Sequence, residues 1–133
     1  MPIKYSDIIA YLDAIAANAR GDVGSAPHGY WWHVNQDNSQ PPLAYKDFIT
    51  GTVSGIGVPI IGTDANRSNP LQSLFYLLLS TPGGTQGYNQ MPWHGPYITD
   101  PGYSVQLGTN GPTISGADIQ ANIASWLGNG YPQ

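Results

Sequence analysis

The sequence predicts a mainly α-helical fold, because three segments carry apolar residues at helical spacing. These segments lie near the start, at the centre and near the end of the chain, at about residues 6–20, 70–80 and 115–128. The stretches between them are long and rich in Gly and Pro, which favour turns and loops. With 133 residues the chain has the length of one domain, so we predict a single domain over residues 1–133.

The C-terminal helix has the clearest start and end signals. Ser115 and Asp118 have the spacing of a capping box, and Asp118 places negative charge in the first turn, where the helix dipole favours it. Gly128 is suited to a left-handed residue just beyond the last turn. The apolar residues at i, i+4, i+7 and i+8 form one stripe: Ile119, Ile123, Trp126 and Leu127.

The N-terminal helix is expected to begin at Ser6 as its cap, to reach about Arg20 and to stop at Gly21. Its apolar stripe is narrow, like that of the C-terminal helix, so we expect the two to cross and close the core. The stripe consists of Ile8, Ile9, Leu12, Ile15 and Ala16.

The central helix is introduced by Asn69-Pro70, a cap followed by Pro at the first helical position. It is apolar on nearly all sides and is therefore expected to be buried. A short helix is predicted at about 43–50. Residues 51–62 are compatible with a strand or an extended loop, and within the long loop 83–112 the residues 86–112 could also pair as strands.

Composition excludes several functions. The net charge of −4, with four Lys and Arg in total, argues against a nucleic-acid surface. The absence of Cys excludes disulfides and thiolate metal sites, and no apolar run is long enough to span a membrane.

Low charge with many Gly, Pro and uncharged polar residues is typical of exported proteins. It favours a periplasmic or extracellular location and leaves an intracellular one open.

The order of several short motifs resembles the class I cytochrome c fold of bacterial proteins. These motifs are His28-Gly29 after the first helix, Asn69-Pro70-Leu71, Met91-Pro92, and the final Ile119…Ile123…Trp126-Leu127 helix. The resemblance implies a cytochrome-c-like core of N-terminal, central and C-terminal helices with long Gly/Pro-rich loops.

The haem-attachment motif CxxCH of that family is missing. Aligning its His with His28 puts Gly24 and Pro27 where the two cysteines belong, so haem cannot be attached covalently. The resemblance then implies a haem-free relative, without a cofactor, in which aromatic side chains fill the volume of the haem. The alternative is non-covalent haem held by His28 and Met91.

Aromatic and His residues in the loops are the candidate ligand-binding surface. The aromatic rings could stack on a sugar, or they could belong to the core. The spacing of the three His residues matches no metal motif, so no metal site is predicted. The candidate ligand-binding residues are Tyr30, Trp31, Trp32, His33, Trp93 and His94.

No reaction is suggested by the sequence, which has no Glu, no Cys and no G-x-S-x-G motif. The leading hypothesis is a haem-free cytochrome-c-like binding or accessory module with an unknown protein or small-molecule partner. An electron-transfer protein with non-covalent haem is one alternative. A glycan-binding module that uses the loop tryptophans is the other.

Overall fold

The protein was analysed as a computed structural model, which describes residues 3–20, 29–53, 58–61, 74–84, 90–92 and 95–133. These segments contain four α-helices, a short 3-10 turn and two pairs of antiparallel strands. None of these helices is long and apolar enough to cross a membrane, as expected. In chain order the elements are α1 (Tyr5–Ala17), the 3-10 turn (Val34–Gln36), α2 (Tyr45–Thr50), β1 (Thr52–Val53), β2 (Val58–Pro59), α3 (Leu74–Ser80), β3 (Ser104–Gln106), β4 (Thr113–Ser115) and α4 (Gly116–Gly128).

The prediction of a mainly α fold with a cytochrome-c-like core was wrong, because both uncertain loop regions contain strands. β1 pairs with β2, and β3 pairs with β4 with Val105 opposite Ile114. In β3 the side chain of Val105 is buried, whereas its neighbours Ser104 and Gln106 are exposed. This alternation has the period of two that a half-buried strand requires. Strands of two or three residues are too short for that period to stand out in the sequence.

Helix α1 starts earlier and ends earlier than predicted. Its N-cap is Lys4, whose backbone N–H donates to the Asp7 carboxylate over 2.9 Å, and Ser6 lies inside the first turn. The helix ends at Ala17, with Asn18 as C-cap, so Arg20 lies beyond it. The predicted stop at Gly21 lies outside the described residues. The buried face includes the predicted Ile8, Ile9, Leu12 and Ile15, together with Tyr11 and Ala14.

The predicted Ser115 cap of the C-terminal helix is confirmed, without the reciprocal bond of a capping box from the Asp118 side chain. The Asp118 N–H donates to the Ser115 hydroxyl oxygen over 3.1 Å, and the helix runs from Gly116. Gly128 belongs to the last turn, however, and the glycine with positive φ is Gly130, at 84°. The short helix α2 lies within the predicted range 43–50. The central helix is present as α3, and its predicted start at Asn69-Pro70 is outside the described residues.

Four aromatic rings from different elements meet in the core. Trp31 precedes the 3-10 turn, Phe48 lies on α2, Phe75 on α3 and Trp126 on α4, and each is exposed by 1% or less. The rings of Phe48 and Phe75 are nearly perpendicular, with centroids 5.5 Å apart, and Trp126 lies 6.2 Å from Phe48. Helix α1 is joined to α4 by a hydrogen bond of 3.0 Å from the Asn122 amide to the Tyr11 hydroxyl. The two terminal helices are therefore in contact, through two residues that the predicted apolar stripes did not include.

The start of α4 approaches the preceding loop so closely that only Gly fits there. A Cβ atom on Gly116 would lie 2.0 Å from the Ile98 carbonyl oxygen, which is backbone and cannot rotate away. We expect Gly116→Ala to lower the free energy of unfolding by about 1–3 kcal/mol through overpacking. Gly128→Ala is the matched control in the same helix, because its Cβ would meet no atom within 4 Å.

Urea denaturation of both variants measures this difference. The control should change the free energy of unfolding by less than about 1 kcal/mol, and any change should be upward, because Ala is the better helix former. Equal effects of the two substitutions would contradict the close contact between Gly116 and the Ile98 carbonyl.

Candidate functional site

The predicted aromatic surface is largely inside the protein. Trp31 is 1% exposed and Trp32 is 4% exposed. The Trp31 ring packs against Phe48, with centroids 5.8 Å apart, and edge-on against Trp32. Tyr30 is half-buried, with its ring 5.6 Å from that of Trp32. The faces of both tryptophans are thus covered by neighbouring side chains, as the core interpretation of these residues expects.

His33 is buried beside Trp32, and both side chains bind the same carboxylate on α1. The Trp32 indole N–H donates to Asp13 Oδ1 over 2.7 Å, and His33 Nε2 lies 2.7 Å from the same oxygen. His33 Nδ1 lies 2.6 Å from the Gln40 carbonyl oxygen. Asp13 therefore holds the segment that carries Trp32 and His33 against α1.

Both ring nitrogens of His33 face an oxygen atom, and a neutral His with an ionised Asp has only one proton for these two contacts. A carbonyl oxygen only accepts, so His33 Nδ1 must donate to Gln40. The Nε2 contact with Asp13 then needs a further proton, either on the ring or on the carboxyl group. Close to the cluster, hydrogen bonds from the Ser39 backbone N–H and hydroxyl lower the pKa of Asp37, and His33 acts in the same direction. The polar atoms of the cluster bind one another, which fits an anchoring role.

The other predicted site residues are placed differently. His28, Trp93 and His94 lie outside the described residues. Met91 is buried, with its backbone N–H bonded to the Leu78 carbonyl. An apolar crevice beside it, lined by α1, Trp32 and Leu79, offers only about 20 Å³. That space is far too small for a haem. His28, the other proposed haem ligand, lies outside the described residues, so haem binding stays a prediction. Within the described segments, no three His or Asp side chains are arranged to hold a metal ion.

A larger opening lies between the end of α1 and the loop that leads into β3, and we call it the Arg20–Tyr103 cleft. Its volume is about 280 Å³, which is room for about nine water molecules. The Arg20 backbone N–H donates to the Gly95 carbonyl over 2.7 Å and fixes the end of the α1 segment to this loop. The cleft is lined by Asn18, Arg20, Pro96, Asp100, Pro101, Gly102, Tyr103 and Ser104.

Two turns shape the loop side of the cleft. Asp100 closes the first turn: its N–H donates to the Tyr97 carbonyl, and its carboxylate accepts the Tyr97 N–H over 2.8 Å. The Tyr103 N–H then donates to the Asp100 carbonyl, with Gly102 at a φ of 75° in between. The Tyr103 carbonyl accepts the N–H of Gly116, which connects the loop to the start of α4. The cleft wall is thus held by backbone hydrogen bonds on both sides of Asp100.

Tyr103 has a polar group without a partner. The side chain is 7% exposed, and its hydroxyl is buried with no hydrogen bond. Burial raises the pKa of Tyr103; the Asn18 side chain comes close enough to lower it but completes no hydrogen bond, and Asp100 raises it further. An unpaired buried hydroxyl typically destabilises a fold by about 1–3 kcal/mol, and such groups are rare in native proteins.

The two charged side chains of the cleft also have no ion-pair partner in the described part of the chain. Arg20 and Asp100 are both exposed and both line the cleft, yet neither belongs to an ion pair with any described residue. Only the Oδ2 atom of Asp100 has a hydrogen-bond donor among those residues, the Tyr97 N–H. The described lining of the cleft therefore brings together Arg20, Asp100, Asn18 and Tyr103.

Sequence reasoning missed this cleft. Asp100-Pro101-Gly102 is a recognisable turn pattern, and it does form a turn. Nothing in the pattern, however, shows that Arg20, eighty positions earlier, lies on the other side of the opening. The resemblance also directed attention to residues 28–33 and 91–94 instead.

Comparison with protein-family models, with curated proteins and with solved structures finds no match to this chain. Two polar sites stand out among the described residues: the Asp13–His33 cluster, whose polar atoms bind one another, and the Arg20–Tyr103 cleft, where the Tyr103 hydroxyl has no partner.

The anchoring role of Asp13 can be tested by stability. Asp13→Ala removes the acceptor of the Trp32 indole and of His33, so we expect the free energy of unfolding to fall by about 1–2 kcal/mol. Asp47→Ala is the control, since Asp47 is an exposed carboxylate of α2 with no hydrogen-bonded side-chain partner among the described residues. Urea denaturation at neutral pH measures both. A loss at Asp13 no larger than that at Asp47 would show that the cluster does not anchor the segment.

Proposed function

We propose that this protein is a binding or accessory module that holds a small polar ligand in the Arg20–Tyr103 cleft. The observation that carries the proposal is the unpaired hydroxyl of Tyr103, which is buried directly behind an open cleft that the same residue lines. A protein gains nothing from such a group in the free state, because its desolvation is uncompensated. A hydrogen bond to a ligand would compensate it.

The surroundings of Tyr103 support this role. Asn18 is exposed and close to the hydroxyl, so a rotation of its side chain is the movement that would open the hydroxyl to a ligand. The backbone on the opposite side is fixed by the Asp100 turns. One wall is thus rigid and the other adjustable, which suits a site that admits and then holds a small molecule. The volume matches a ligand the size of an amino acid, a dipeptide or a sugar.

Titrations followed by ¹H–¹⁵N NMR test the proposal with four probes: leucine, glycylglycine, malonate and maltose. We expect at least one of them to shift the amide signals of Gly102 and Ser104 saturably, and to leave Ser39, outside the cleft, unchanged. Tyr103→Phe should weaken that binding about threefold to tenfold, the value of one hydrogen bond.

Tyr76→Phe is the matched control, because it removes a hydroxyl from α3, which does not line the cleft. It should bind like the unaltered protein. If none of the four probes shifts the cleft amides saturably, or if the two Phe variants behave alike, the cleft is not a binding site and the proposed function is wrong.

A further inference from the structure

We infer that the ligand of the Arg20–Tyr103 cleft is a small zwitterion, with a carboxylate that binds Arg20 and an ammonium group that binds Asp100. This inference rests on the proposed function and specifies its ligand. The class includes free amino acids and short peptides, whose two charged groups are a few ångströms apart.

Arg20 and Asp100 bring opposite charges to the cleft, and neither forms an ion pair with a described residue. Arg20 and Asp100 line the same opening but are not within ion-pair distance of each other. A guanidinium offers a planar set of donors that matches a carboxylate. Asp100 has its Oδ2 fixed by the Tyr97 N–H, so its Oδ1 is positioned to accept from an ammonium group. A ligand that carries both groups would bind to both residues at once.

The charges of the cleft disfavour a ligand that is only anionic or only cationic. The chain has a net charge of −4, and Arg20 is the one cationic residue among the described residues of the cleft lining. A dianion would therefore meet the Asp100 carboxylate and an unfavourable overall field. A simple cation would meet the Arg20 guanidinium. A zwitterion has no net charge and satisfies both residues.

The uncharged residues of the cleft also suit a zwitterionic ligand. A tyrosine hydroxyl is protonated at neutral pH, and burial and Asp100 raise the pKa of Tyr103 further, so the hydroxyl can donate to a ligand carboxylate or carbonyl. The Asn18 amide can both donate and accept, as the peptide bond or the α-substituents of such a ligand require. Pro96 and Pro101 add apolar surface at the cleft edge, where a ligand side chain could pack.

The test compares matched probes by the same NMR titration: glycylglycine, N-acetylglycylglycine, glycylglycine amide and maltose. Acetylation removes the positive charge and amidation removes the negative one. We expect glycylglycine to bind, and each blocked form to bind about twofold to fivefold more weakly, as for ion pairs that are partly exposed to water.

Two substitutions assign the charges. Arg20→Gln should abolish the preference for a free carboxylate and leave the preference for a free ammonium, and Asp100→Asn should do the reverse. Asn still accepts the Tyr97 N–H, so the turn is retained. Lys46→Gln and Asp47→Asn are the controls, because they make the same changes on exposed positions of α2.

The outcomes separate the two claims. If the blocked peptides bind as tightly as glycylglycine, or if maltose alone shifts the cleft amides, the zwitterion inference is overturned and the binding function stands. If malonate shifts the cleft amides and glycylglycine does not, the zwitterion inference alone is overturned. If none of leucine, glycylglycine, malonate and maltose shifts them, the binding function fails and the inference fails with it. If the control substitutions change the preferences as much as Arg20→Gln and Asp100→Asn, the assigned residues are wrong.

Discussion

The perpendicular packing of Phe48 and Phe75, enclosed by Trp31 and Trp126, is the interaction on which the rest of the structure depends. The four rings come from the segment before the 3-10 turn, α2, α3 and α4, so one cluster fixes four parts of the chain. Aromatic side chains bury large areas and prefer such edge-to-face arrangements. A chain with 17 Gly and 12 Pro has few long helices or strands. A small number of large buried rings therefore provides packing that long helices or strands would otherwise provide.

The same cluster determines where function can reside. Because Trp31 is in the core and Asp13 binds Trp32 and His33, the aromatic segment contributes to stability instead of presenting a surface. The contact of Gly116 with the Ile98 backbone holds the loop before β3 against α4. Tyr103 then follows at the cleft lining, with its carbonyl bonded to Gly116. The Arg20–Tyr103 cleft is thus a consequence of how the loop is attached to α4.

The sequence predicted elements that have local causes and missed those that depend on distant contacts. The Ser115 cap, the α2 helix and the apolar stripe of α1 follow from residues a few positions apart. The β3–β4 pair joins short segments in a Gly/Pro-rich region, where alternation is too brief to recognise. The order of short motifs resembled a cytochrome c, but motif order does not specify packing, and the strand pairs contradict that fold class. Predicting the cleft would have required the contact between residues 20 and 95, and no local sequence pattern indicates that contact.

The central claim is that the chain retains an unpaired hydroxyl on Tyr103 for a ligand, at some cost to stability. Removing the hydroxyl should then remove a desolvation cost without breaking a hydrogen bond. The most direct measurement is the free energy of unfolding of Tyr103→Phe against the unaltered protein, without ligand. The account predicts a value that is higher by about 1 kcal/mol or more, because the desolvation cost of the hydroxyl is removed. An unchanged or lower value would mean that the hydroxyl carries no such cost, as when it already has a partner within the protein, and would contradict the account.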